Sequence, residues 1–326
     1  MKKPIEILIN PSELGAGTRG SSLGPYAILN AARRQKNTFF ADLDLITMPD
    51  KNALLDKAVY SPFARRIDGV CEIYKGIIKQ VQNSLSSSST VFVLSGDHSS
   101  ATATIAGIRN KYPEKKIGVV WVDAHADIHS PYTTPSGNIH GMSLGAALSI
   151  DNLKNKRNTP KINTVRKWNW MKSMGPDNNS LIHPSEVVYI GLRDVELEER
   201  KLIKSLDIKV IDVDEFREKG AVQISQDVHA HLNQMDVLYV SFDVDSMDPD
   251  DSSYGTGTPF KDGLFVQEAK DLLEEFSKSE KLKCLEIVEI NPCLDTKNKM
   301  GEIAFDILEN SIINVLHRES QQVPFN

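Results

Sequence analysis

Short, largely apolar runs recur along this chain at Ile5 to Ile9, Val91 to Leu94, Ile117 to Val122, Val187 to Ile190, Ile208 to Val213, Val237 to Phe242 and Leu285 to Ile290. Runs of this length with little polar alternation read as strands buried on both faces, the habit of a parallel sheet. Between them the pattern changes to a 3.6-residue period. Ile67, Val70, Cys71, Tyr74, Ile77, Ile78, Val81 and Leu85 form one stripe and predict a helix over 65–84; Val266, Ala269, Leu272, Leu273 and Phe276 form another. Pro25 opens a helix whose apolar face is Ile28, Leu29 and Ala32, a further helical run passes through Ile105 and Ile108, and a last helix is predicted over 301–316. Strand and helix alternate from end to end without a linker or a repeat. The pattern therefore predicts an α/β fold in one domain over 1–326, three-layer α/β/α around a mostly parallel sheet, with ligands beyond the carboxyl ends of the strands.

Two stretches break this rhythm. Ser86 to Ser89 reads as a solvated surface loop. Residues 151–182, with seven Lys or Arg against two Asp and with Pro160, Trp168, Trp170 and Pro176, read as an irregular surface excursion tethered by aromatics.

Composition narrows the functional classes. A chain of 326 residues, 40% hydrophobic and 25% charged, can bury a substantial core, and a formal charge of −6 argues against nucleic acid as a partner. Cys71, Cys284 and Cys293 are too few and too scattered for a disulfide framework or a thiolate zinc site, so reduced thiols and a cytoplasmic protein are expected. The apolar run after Met1-Lys2-Lys3 is broken by Pro4, Glu6, Asn10 and Pro11, too short for a secretory or membrane segment. Asn178-Asn179-Ser180 matches a glycosylation pattern by chance.

The chemistry gathers where strands end. The run 117–122 delivers Asp123, His125 and Asp127, and the i, i+2, i+4 spacing would put all three on one side of an extended chain. The run 91–94 ends in Ser95-Gly96-Asp97-His98-Ser99, which alone reads equally well as a helix cap. The run 237–242 delivers Asp243-Val244-Asp245. Four of the eight histidines fall between 98 and 140, among these acids. His98, Asp123, His125, Asp127, Asp243 and Asp245 together offer two imidazoles and four carboxylates. Oxygen-rich ligation with some nitrogen and no thiolate suits Mn²⁺, with Fe²⁺, Co²⁺, Ni²⁺ and catalytic Zn²⁺ also compatible. Six ligands suit two ions about 3.5–4 Å apart, sharing a water whose pKa falls toward neutrality.

Ser-Gly-Asp-His-Ser, Asp-Ala-His-Ala-Asp and Ser-Phe-Asp-Val-Asp-Ser-Met-Asp-Pro resemble, in this order, the metal signatures of the ureohydrolase family of arginases, agmatinases and formiminoglutamases. The resemblance runs from about Ile5 to the last helix. It implies that His98, Asp123, Asp127 and Asp243 ligate one Mn²⁺ and Asp123, His125, Asp243 and Asp245 the other, with Asp123 and Asp243 bridging. The loop from Thr133 to Gly141 is similar to the arginase segment that grips an amino acid's carboxylate, through Ser136 and Asn138. His140 resembles the proton-shuttling histidine, Glu289 the glutamate that pairs with the guanidinium, and Thr258 a pocket threonine. Asp194 and Glu196 fall in the stretch that holds the α-amino group. Two positions depart from arginases: His129 stands where Asn is usual and Glu196 where Asp is usual. The implied function is hydrolysis of L-arginine to L-ornithine and urea by a metal-bridging hydroxide, in a homotrimer or homohexamer. The alternatives are another ureohydrolase acting on a different guanidino substrate, and a non-catalytic binding relative.

Overall fold

The computed structural model describes residues 3–175 and 180–321; Asn178 and Asn179 of the glycosylation pattern lie outside them. Eight strands form one sheet: β1 (Lys3–Asn10), β2 (Leu45–Thr47), β3 (Ser88–Ser95), β4 (Ile117–Val122), β5 (Val187–Ile190), β6 (Lys209–Ile211), β7 (Val237–Asp243) and β8 (Leu282–Val288). Their order is β2-β1-β3-β8-β7-β4-β5-β6, and every pairing is parallel. The sheet is thus all-parallel rather than mostly so, as expected of strands buried on both faces.

Alternate side chains of each strand feed two cores. Val91 and Val93 on β3, with Ile117, Val119 and Trp121 on β4, face α2 (Ile67–Ser87), α3 (Ala101–Lys111), α4 (Ser143–Ala147) and α5 (Ile162–Lys172). Phe92, Leu94, Val120 and Val122 point the other way, into the core shared with α1 (Gly24–Arg34), α7 (Val213–His231), α8 (Val266–Ser277) and α9 (Lys299–Gln321). One further helix, α6 (Leu197–Leu206), follows β5.

Several expectations are corrected. Ser86–Ser89 is not a surface loop: α2 runs through Ser87, β3 begins at Ser88, and Ser88 is buried. The serine hydroxyls bond back to helix carbonyls four residues earlier, Ser86 to Gln82 at 2.8 Å and Ser88 to Ser84 at 2.7 Å, so they find partners in the helix itself. The 151–182 excursion contains α5, whose Trp168 is fully buried and donates its indole N–H to Asp151 at 2.7 Å, with Lys172 on the same oxygen at 2.6 Å. The strand over 208–213 stops at Ile211, because Asp212 caps α7 by accepting the Glu215 N–H at 2.8 Å. The last strand stops at Val288, so Glu289 lies beyond it, in left-handed backbone at φ 65°.

Candidate metal centre and cleft

The residues after β3, β4, β8 and β7, neighbours in the middle of the sheet, meet at one end of it. Asp97 caps the turn after β3 by accepting the Ser99 N–H at 2.8 Å, and so aims His98 inward. The helix-cap reading of this motif falls on Asp97, which leaves the neighbouring His98 free to point into the cluster. Residues 123–127 are not extended. The chain bends after Val122, and Asp127 sits in left-handed backbone at φ 50°, so the carboxylates converge through a turn rather than strand alternation.

His98 Nδ1 lies 3.1 Å from Asp123 Oδ2, 3.0 Å from Asp127 Oδ2 and 3.2 Å from Asp243 Oδ2. Its other nitrogen is 2.7 Å from the Ser241 hydroxyl, and its ring stacks on Trp121 with centroids 4.2 Å apart. Beside it, His125 Nδ1 lies 3.4 Å from Asp123 Oδ1 and 3.1 Å from Asp245 Oδ2, while its Nε2 faces Asp194 Oδ2 at 3.3 Å. Asp123 is common to both groups. Its Oδ2 accepts the Trp121 indole N–H at 2.9 Å and its Oδ1 the His125 backbone N–H at 2.7 Å. Asp245 accepts the Thr258 hydroxyl at 2.9 Å.

This donor set fits divalent cations. His98 Nδ1 is fully buried and makes no well-formed hydrogen bond, although three carboxylate oxygens surround it. Burial, reinforced by neighbouring carboxylates, drives Asp127 and Asp243 above the usual carboxylate range, and burial with Asp123 beside it does the same to Asp245. Burial favours neutral rings at His98 and His125, yet the surrounding carboxylates outweigh it and hold both protonated well above the usual histidine range. Protons here occupy places a cation would neutralise better.

β8 lies between β3 and β7, which puts Glu289 beneath the His98 turn. Its Oε1 accepts the His98 N–H at 2.9 Å and the His140 Nδ1–H at 3.0 Å. A carboxylate only accepts, so Nδ1 of His140 carries the proton. Burial lowers the His140 pKa, but the Glu289 charge prevails and brings it to about 9.

A cleft of about 610 Å³, open to solvent, stands over this cluster. Its walls include His125, Asp127, Asp243, Asp245 and His140, together with His129, Ser136, Asp194, Glu196 and Thr258. Asn138 is half-buried beside Gly17 and is not among the lining residues, and Glu289 lies behind His140. The loop carrying Ser136 is clamped at Gly137, where φ is +77° and a Cβ would meet the Pro62 carbonyl at 1.8 Å; the Gly137 carbonyl in turn accepts the Arg65 N–H at 2.7 Å.

Four supporting residues escaped the sequence reading. Ser241 and Trp121 back the candidate ligands His98 and Asp123, and Glu199 backs the wall. Arg193 donates to the carbonyls of Asp245 at 2.8 Å and Phe260 at 2.6 Å, pinning the segment that carries Asp245 and Thr258. Their only signal was adjacency to motifs. Asp194, expected on the substrate, also backs His125.

A buried set of imidazoles and carboxylates beyond the carboxyl edge of a parallel α/β sheet defines a metal-dependent hydrolase of the binuclear kind. The chain belongs to the Arginase family, whose model matches residues 3–313. It is 32% identical over 321 residues to an arginase of Brevibacillus brevis, covering 95% of this chain and 98% of the relative. It is 31% identical to an arginase of Bacillus subtilis, covering 95% and 98%. The solved structure of Bacillus caldovelox arginase superposes with a TM-score of 0.80 at 29% identity, over 96% of this chain and 98% of that one. A formimidoylglutamase of Bacillus subtilis, at 16% identity and a TM-score of 0.73, shares the fold. Among the described residues no helix is long and apolar enough to cross a membrane.

Proposed function

We propose that the chain is an arginase, hydrolysing the guanidinium group of L-arginine to L-ornithine and urea with two Mn²⁺ ions, as one domain within a cytoplasmic homotrimer or homohexamer. The observation that carries this reading is the paired donor set sharing Asp123 on the floor of a cleft whose walls offer both hydroxyl donors and carboxylate acceptors. His98, Asp123, Asp127 and Asp243 would hold one ion, and Asp123, His125, Asp243 and Asp245 the other. When bound, such a pair supplies Lewis acidity and brings the pKa of a water toward neutrality.

The chain's own groups do the rest. Glu289, behind His140, has its Oε1 occupied by His98 and His140, so a guanidinium N–H would have to reach its Oε2 past the His140 ring. His140, with a pKa near 9, is protonated at neutral pH and held by Glu289 through Nδ1; its other nitrogen gives the proton to the departing amine. Ser136 donates to the substrate carboxylate, with Asn138 set back from the cleft beside Gly17; Asp194 and Glu196 accept from the substrate's ammonium, and Thr258 fixes Asp245. Hydrolysis of another guanidino or formimino compound is favoured by one observation: His129 is paired with Glu196 at the head-group wall.

A substrate panel with Mn²⁺-loaded protein tests this. Urea and L-ornithine in equal amounts from L-arginine are expected. Urea from agmatine alone, or formamide from formiminoglutamate, would move the assignment to the second reading, and metal binding without any turnover would make the chain a binding relative.

A further inference from the structure

His129 faces the cleft, yet it has little to offer a ligand. Its side chain is 5% exposed, with Nδ1 3.0 Å from the Thr133 hydroxyl and Nε2 in contact with the Glu196 carboxylate. Glu199 closes the arrangement from below: its Oε2 lies 3.6 Å from the same Nε2 and accepts the Glu196 N–H at 3.2 Å, and its Oε1 accepts the Ile128 N–H at 3.2 Å. Both ring nitrogens are therefore engaged, and neither carries an N–H free for a substrate carboxylate. Glu196 is the opposite case. It stands at the cap of α6 with its side chain 49% exposed, and it lines the cleft.

We propose that His129 is a positioning residue that fixes the Glu196 carboxylate toward the cleft as acceptor for the ammonium group remote from the guanidinium, and that it does not itself read the substrate's carboxylate. A glutamate side chain is long and rich in rotamers; holding one oxygen on a buried ring removes in advance much of the entropy that binding would otherwise cost. The pair thus makes this wall select for a cationic head group. This inference rests on the reading above that Glu196 meets the substrate's head group.

Three small ligands separate the roles: L-ornithine carries both the α-ammonium and the carboxylate, putrescine lacks the carboxylate, and 5-aminovalerate lacks the α-ammonium. Their dissociation constants are measured calorimetrically on Mn²⁺-loaded protein for the unsubstituted chain, His129→Ala, Glu196→Gln and the double variant. His129→Ala is expected to weaken L-ornithine and putrescine about tenfold each, the scale of a lost charge-assisted hydrogen bond, and 5-aminovalerate by less than about twofold. Adding it to Glu196→Gln is expected to change nothing further, since one residue acts through the other. Weakened 5-aminovalerate with unchanged putrescine would overturn the proposal in favour of a carboxylate reader. Equal weakening of all three ligands, or additive losses in the double variant, would also overturn it. If the unsubstituted chain binds L-ornithine no better than 5-aminovalerate, Glu196 does not meet the head group and the underlying reading fails with it. His129→Ser, polar but too short to reach Glu196, gives the same comparison should the alanine variant not fold.

Discussion

The floor of the cleft and its head-group wall are built by opposite means. His98, Asp123 and Asp243 stand at or just beyond the ends of β3, β4 and β7, whose registers, Val122 beside Phe242 and Leu94 beside Ile287, fix where each side chain starts. All three are almost completely buried. The wall comes from the segment after Asp127, from the segment leading into the cap of α6 and from the segment after Asp245; His129 holds Glu196 within it, while Asp194 and Thr258 reach down to His125 and Asp245 of the floor. A sheet edge sets positions finely enough for a metal pair and leaves no latitude for substitution. A wall of loop residues can change its chemistry at a pair such as His129 and Glu196 while the sheet beneath stays as it is. That is how His129 and Glu196 coexist with an intact donor set.

The sharpest break in this contrast is a floor substitution. Asp243→Ala is expected to prevent loading of the metal pair and to lower urea release by about 10⁴-fold, read by metal analysis and a urea assay. His140→Ala should lower kcat by about 10² to 10³-fold while the metal content stays that of the parent, because the His140 ring hydrogen-bonds Glu289 rather than a member of the donor set. Ser241→Ala, which removes the hydroxyl 2.7 Å from His98 Nε2, should weaken Mn²⁺ affinity about tenfold in a calorimetric titration.

The smallest effect concerns the metal-stripped chain. His98 and His125 are held protonated well above the ordinary 6.5, Asp127, Asp243 and Asp245 are raised as carboxyls, and His140 stands near 9. In each case the folded state binds the proton more tightly than the unfolded chain does. The stability these groups contribute is therefore present in full at lower pH and lost as pH rises through the folded values. The melting temperature of the stripped chain should fall by a few degrees between about pH 6.5 and 9, and Mn²⁺ should flatten that slope, because the cations replace the protons.

The floor was also the more legible region. Its proposed ligands lie in short motifs at the ends of apolar runs, so local pattern and strand position together pick out the imidazoles and carboxylates that cluster there. Even there the mechanism of convergence differed: Asp123, His125 and Asp127 meet through a bend with Asp127 at φ 50°, which the i, i+2, i+4 spacing does not reveal. The wall was legible as positions, by resemblance, and not as pairings. That His129 faces Glu196, 67 positions away, depends on how α6 docks on the rim; α6 is short, with Leu202 and Ile203 as its buried apolar residues, and α7 is broken at Gly220, where φ is 76°. Ser86 to Ser89 misled for the converse reason: hydroxyls that look solvated by composition find partners in the helix itself.

The most direct measurement is a Mn²⁺ titration of the metal-stripped chain, compared with Asp245→Ala and Asp123→Ala. A shared floor predicts two ions per chain in the parent, one in Asp245→Ala, where the His98 group remains whole, and no stable pair in Asp123→Ala. A parent that binds a single ion, or an Asp123→Ala chain that still binds two, would contradict it.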